Sequence, residues 1–236
     1  MIRSWGRKDE TKDFLVITDN MMNLELLEWA GQNGYAHGVV VARAHATNTM
    51  KHHFRADGGT YHVLNYDQRP GFRGAVQEIS RGQGLSCETA WARGQAWAMY
   101  GYTMMYRFTK DPSYLAFAQK VSDFAVNHPN MPADGVPYWD FGAPGEERDS
   151  SAAAIMASAL LELSGFVGGE KGAAYRAFAV KQLLSLASPA YFSEGDEIGH
   201  FLLKHGVGHK PAGSEVDTPL DYGDYYFLEA LLKVKR

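Results

Sequence analysis

Along most of this chain apolar residues recur at the three- and four-residue steps of helices, broken by a few short segments with the period or composition of strands. Phe14-Leu15-Val16-Ile17-Thr18 is a short apolar run that ends at Asp19-Asn20. From Met21 to Ala30 the spacing becomes helical, and Asn33-Gly34 stops it. A second helix is predicted over residues 35–53, with Ala36, Val39, Val40 and Ala44 as its apolar face. Asp57-Gly58-Gly59 then marks a turn, and residues 60–66 have the β-branched and aromatic content of a strand. A small β-hairpin inserted between helices is therefore expected near residues 55–67. Two helix pairs follow, 89–108 with 112–127 and 149–163 with 172–188, and a last helix covers 224–235. Between them lie a loop at 128–148, unusually aromatic at Tyr138-Trp139-Asp140-Phe141 and so expected to overhang a site, and a Gly-rich stretch at 205–217.

Seven helices joined mostly by short turns make an all-α chain of stacked helical hairpins. Such hairpins either stack as a solenoid or close into a toroid. A closed ring of six hairpins needs twelve helices, so seven read as an incomplete ring, one domain over residues 1–236 with an apolar flank uncovered. Self-association or a companion segment is expected at that flank.

Composition narrows the partners. A net charge of -4 argues against duplex nucleic acid or an anionic membrane surface and favours a small ligand. The single cysteine, Cys87, excludes an internal disulfide framework, and no uninterrupted apolar run approaches bilayer length, so a cytoplasmic protein is expected. Of the nine histidines, His37, His45, His52, His53, His62, His200, His205 and His209 show no metal-ligand spacing, and no phosphate-binding or dinucleotide motif is present. Neither a metal nor a cofactor is expected.

The candidate chemistry gathers at Trp91-Ala92-Arg93-Gly94-Gln95-Ala96-Trp97, at the mouth of an apolar helix. Indoles offer a flat surface for the C–H face of a pyranose, while Arg and Gln supply donors and acceptors for a carboxylate or hydroxyls. On an ideal helix the pairs Trp91/Gln95 and Arg93/Trp97 point roughly 160° apart, so they converge only at a helix start near Thr89. Trp97 suits the core equally well. Asp19 stands where an apolar segment turns into a helix, which suits either an N-cap or a reacting carboxyl group. His62 follows the glycine turn on the predicted strand, and Asp149 reads most simply as a helix cap.

Asp19-Asn20-Met21-Met22-Asn23-Leu24, Asp57-Gly58-Gly59-Thr60-Tyr61-His62, the Trp91–Trp97 segment and Asp221-Tyr222-Gly223-Asp224-Tyr225-Tyr226 together resemble the unsaturated glucuronyl hydrolases, glycoside hydrolase family 88. The resemblance covers essentially the whole chain. It implies an (α/α)6 barrel and release of the terminal 4,5-unsaturated uronic acid from oligosaccharides left by polysaccharide lyases. It also implies that Asp19 is the catalytic acid/base, that His62, Gln83, Trp91 and Arg93 line the sugar pocket, and that Trp5 and Trp97 are further pocket aromatics. His209 and Lys210 are candidates for contact with the second sugar. The family also carries a second important aspartate and further aromatics in helices upstream of Met1, with no matching segment here, so the resemblance assigns this chain to the later part of the ring.

Ordinary glycosidases flank the anomeric carbon with two carboxyl groups. A vinyl ether in the substrate ring permits another route, protonation at C4, addition of water at C5 and opening of the hemiketal, in which one carboxyl group serves first as acid and then as base. Alternatives are an unsaturated rhamnogalacturonyl hydrolase acting on pectin fragments, and a catalytically inactive carbohydrate-binding or structural fragment of the same fold.

Overall fold

The computed structural model describes residues 1–6 and 12–235, which contain seven α-helices and two small antiparallel sheets. The helices are α1 (Leu24–Gln32), α2 (Ala36–His52), α3 (Ala92–Thr109), α4 (Pro112–Val126), α5 (Ser150–Val167), α6 (Gly169–Leu186) and α7 (Asp221–Val234). Neighbours pack in sequence, α1 on α2, α3 on α4 and α5 on α6, while α1, α3, α5 and α7 follow one another as an inner row. Burial explains the layering. From Ala92 to Met105 every residue of α3 is buried, and α5 is buried along most of its length, whereas α4 and α6 hide only one stripe. By length and composition α5 would span a bilayer, yet most of it lies inside the protein, where Ala152, Ala153, Ala157 and Ala159 let neighbouring helices come close.

The hairpin expected near 55–67 is only partly right. Strand β2 (Val63–Asp67) pairs with β3 (Val76–Ser80), beyond the expected segment, and the apolar run near residue 14 forms a third strand, β1 (Asp13–Ile17), on the other side of β2. All five residues of β2 are buried because it is the central strand, flanked on both sides. The Gly-rich stretch forms a second hairpin, β4 (Gly206–His209) with β5 (Ser214–Thr218). Period-two patterning was hidden there by glycines, which carry no side chain to read.

Helix α2 turns over its expected face. Ala36, Val40 and Ala44 are exposed, and the buried side is Gly38, Ala42, His45, Ala46 and Thr49, continued by His53. The apolar stripe faces outward beside Leu26 and Trp29 of α1. At the other end of the inner row α7 exposes Tyr225, Leu228 and Leu232, one helical face at i, i+3 and i+7. Both ends of the arc are therefore apolar and open, as an incomplete toroid requires. These 236 residues alone should self-associate, and the pair Leu228→Glu and Leu232→Glu should shift them toward monomer in size-exclusion chromatography with light scattering. A stable monomer of the unsubstituted chain would contradict this.

Candidate active site

Asp19 lies in a 3-10 turn (Thr18–Asn23) between β1 and α1 whose N-cap position is Ile17, and among the described residues its Oδ2 takes no hydrogen bond. The turn is tied down around it instead. Thr18 N donates to His62 O (3.2 Å), Thr18 Oγ1 to Tyr61 O (3.1 Å), and Asn20 Nδ2 to Ile2 O and Ser4 Oγ. With its neighbours fixed, Asp19 turns Oδ2 toward His62 Nε2 at 3.3 Å. Both atoms are buried, they sit outside hydrogen-bond geometry, and neither has a hydrogen-bond partner among the described residues. A carboxylate oxygen and an imidazole nitrogen facing one another with unspent hydrogen bonds are costly to fold and ready for a polar atom placed beside them, within reach of both.

The state of the ring follows from its other nitrogen. Gln83 N donates to His62 Nδ1 at 2.9 Å, so in the neutral ring the hydrogen sits on Nε2, facing Asp19. Gly82 makes that approach possible. Its φ of 52° is in the left-handed region, and a Cβ there would lie 2.4 Å from His62 Nδ1. Behind His62 stands Trp91, with ring centroids 4.4 Å apart and planes tilted by 38°.

Trp91 and Arg93 do meet, by a route different from the expected one. Helix α3 starts at Ala92, not Thr89, and Trp91 is its extended N-cap residue, bridged to Asp140. Freed from helical direction, the indole folds back across the first turn, where a Cβ on Gly94 would lie 2.8 Å from it. The Arg93 guanidinium sits 4.4 Å from the indole centroid, with Tyr222 at 5.2 Å.

Packing this tight changes what the motif can do. Trp91 is 2% exposed, with Trp139, Ala143 and Val207 around it, so it underlies His62 and has no open face on which a sugar could stack. Arg93 is buried too. It donates to Asp149 Oδ2 (3.2 Å), Val207 O and Gly208 O (2.6 Å), so its hydrogen bonds here go to the protein itself. Gln95, fully buried, accepts from Thr60 N and donates to Gly58 O and Val121 O, which shapes the turn before His62. Trp97 packs in the main core against Tyr222 and Tyr226. The aromatic loop at 128–148 packs beneath the site and does not overhang it: Trp139, Asp140 and Phe141 are buried, and Asp140 accepts from Leu85 N and Gly142 N.

Gln83 also donates from Nε2 to Gly208 O (2.7 Å). Trp5 is about half exposed and, with Val63, Glu78 and Gly82, borders a small cavity of about 120 Å³ beside His62. Lys210 binds Glu146 (2.6 Å) and Glu147, so its charge closes the β4–β5 hairpin onto the aromatic loop, while His209 Nδ1 accepts from Ala212 N inside that hairpin. Sequence reasoning missed Asp149 as a partner of Arg93, although it found the cap. Asp149 Oδ1 accepts from Ser151 N (3.1 Å), Ala152 N (3.3 Å) and Ser151 Oγ (2.6 Å), and Oδ2 takes the guanidinium. Losing a cap costs about 1 kcal/mol. Leaving one member of a buried ion pair alone costs about 3–5 kcal/mol, so the Arg93 contact is the larger role.

Among the described residues no three His, Cys, Asp or Glu side chains converge as a metal site would require. The arrangement defines an all-α toroid with a lone carboxylate beside a histidine at the end of its inner helices, a class in which hydrolases of sugar chains are found. No protein-family model matches the chain. It is 47% identical to the unsaturated glucuronyl hydrolase of Formosa agariphila across 98% of this chain and 57% of that protein. To the unsaturated chondroitin disaccharide hydrolase of Streptococcus pyogenes it is 34% identical, across 98% of this chain and 58% of the other. A crystal structure of an unsaturated glucuronyl hydrolase specific for heparin superposes with a TM-score of 0.92 at 47% identity, over 98% of this chain and 62% of that one. The chain belongs to the unsaturated glucuronyl hydrolases, glycoside hydrolase family 88, and spans about three fifths of the length of these relatives.

Behind Asp19 the buried face of α2 carries His45 and His53, both held neutral. Burial lowers the pKa of His45 to about 4 and that of His53 to about 3, the latter helped by neighbouring histidines and opposed by the Tyr61 carbonyl. Because the folded values lie below the ordinary 6.5, the unfolded chain takes up protons first as pH falls. Stability is unaffected above about pH 6.5 and declines from there toward pH 4, each histidine adding up to about 1.4 kcal/mol per pH unit. Urea melts at pH 7 and pH 5 should show a smaller loss for His53→Gln than for the unsubstituted chain; equal losses would contradict the assignment.

Proposed function

We propose that this chain supplies the later arc of a toroid, and its acid/base, to a hydrolase that releases the terminal 4,5-unsaturated uronic acid from lyase-generated oligosaccharides. The observation that carries the reading is the buried, unpartnered Asp19 Oδ2 facing His62 Nε2. Asp19 in its acid form protonates C4 of the vinyl ether; as carboxylate it then takes a proton from the water that adds at C5. The hemiketal opens and the remaining sugar leaves. His62, with its hydrogen on Nε2 and 3.3 Å from Asp19 Oδ2, is the donor beside the carboxylate that meets the uronate. Gln83, Trp91 and Arg93 hold His62 in place from behind, and Trp97 packs the helix beneath them. Trp5, half exposed at the cavity beside Gly82, is the aromatic surface left for a sugar face, and His209 and Lys210 sit on the hairpin that borders the second-sugar side.

The substrate class we favour is an unsaturated disaccharide of glycosaminoglycan origin. Relatives named for chondroitin disaccharide and for heparin support this, as does a related streptococcal enzyme solved in complex with dGlcA-GalNAc6S. We further infer that helical hairpins cover the flank of α1 and α2 and the flank of α7 in the working protein. The exposed Trp29, Val40, Leu228 and Leu232 and the greater length of the relatives support that closure.

Loss of the vinyl ether's ultraviolet absorbance reports turnover and does not respond to binding alone. Asp19→Asn, in the protein with its toroid closed, should lower kcat by about 10²- to 10⁴-fold, the range of general acid/base catalysis, with binding kept. Turnover near that of the unsubstituted protein would refute the role.

A further inference from the structure

Asp149 lies in the connection between the aromatic loop and α5, away from Asp19 in sequence and outside the reaction just described. Oδ1 caps α5 and also accepts from Val207 N of β4 at 3.5 Å, while Oδ2 holds Arg93 at 3.2 Å, with Asp149 fully buried and Arg93 nearly so. Arg93 spends its remaining contacts on two consecutive carbonyls of β4, Val207 O and Gly208 O. Gly208 O accepts a second hydrogen bond, from Gln83 Nε2 at 2.7 Å. The backbone N of that same Gln83 donates to His62 Nδ1 at 2.9 Å, and His62 Nε2 faces Asp19. The hydrogen-bonded contacts thus run from Asp149 through Arg93, the Gly208 carbonyl and Gln83 to His62.

We propose that Asp149 is a positioning residue: by anchoring Arg93 on the β4 carbonyls it fixes Gln83, and through Gln83 it holds the His62 ring in the tautomer that presents Nε2–H to Asp19. Geometry requires each link. A guanidinium without its counter-charge cannot stay buried in the same place, and a carbonyl shared by Arg93 and Gln83 moves when either donor moves. Gly82 lets Gln83 N come that near to His62 Nδ1, since a Cβ on it would lie 2.4 Å from that atom. The catalytic consequence rests on the function proposed above; the effect on the ring does not.

The two are separated by reading the ring directly. In protein labelled with ¹⁵N-histidine, with His62 assigned by comparison with His62→Gln, the wild-type ring should show a protonated Nε2 and an acceptor Nδ1. Asp149→Asn keeps an oxygen for the cap but removes the charge, and Gln83→Leu cuts the relay further along. Each should mix the two tautomers of His62 while the protein stays folded. In turnover assays both should lower kcat by about tenfold to a hundredfold with little change in KM, the signature of lost positioning. The neutral pair Asp149→Asn with Arg93→Gln leaves no buried charge alone and covers the case in which the single variant does not fold; it too should mix the tautomers. A His62 signature identical to wild type in the folded Asp149 variant, or in Gln83→Leu, overturns the proposal. Wild-type protein without any turnover would refute the proposed reaction and still leave the ring signals to decide the relay.

Discussion

The contact on which the site depends is the approach of one carboxylate to one imidazole ring whose hydrogen the backbone N–H of Gln83 places on Nε2, toward that carboxylate. Asp19 would be an ordinary helix-start aspartate if its oxygens accepted the nearest free N–H groups, and it would then be of little chemical use. Its Oδ2 instead accepts none among the described residues. The neighbours Thr18 and Asn20 hold the turn through side-chain bonds, and His62 is pinned by Gln83 and backed by Trp91. The energy that leaves two buried polar atoms unsatisfied comes from the packing around them.

That packing is built in layers outward from the site. His62 rests on Trp91, Trp91 on the first turn of α3 and on Arg93, and Arg93 on Asp149 and β4. Each layer comes from a different part of the sequence, and the all-buried helices α3 and α5 fix their relative positions. Every side chain of the tryptophan-arginine motif is thus engaged inside the protein. What the motif contributes in this structure is rigidity, while Asp19 and Trp5 keep part of their surface open nearer the rim.

Much of this was legible in the sequence where the code is periodic. The seven helices stand within a few residues of their expected places because amphipathic spacing and stop signals such as Asn33-Gly34 are local. The α2 face was misread because apolar side chains at helical spacing say which face avoids water, not which neighbour covers it. Val40 and Ala44 point to an open flank, while His45, Thr49 and His53 go inside. The β4–β5 hairpin escaped notice because glycines carry no pattern. Asp19 and His62 could be named as candidates, but their meeting depends on β1–β2 pairing across some fifty residues, which no local signal encodes. Arg93's partner was likewise beyond reach, since Asp149 gave the signature of a cap and its second oxygen gave none.

The central claim is that Asp19 hands its proton to carbon and that no pair of carboxyl groups works at the anomeric centre. Turnover in deuterated water tests it most directly. The account predicts an early product carrying a single deuterium at C4, in one stereochemical position, when the reaction is read by NMR before slow exchange next to the new carbonyl. A product in which no C–D bond has formed at C4, with the oxygen of labelled water at C1 of the uronate, would contradict it.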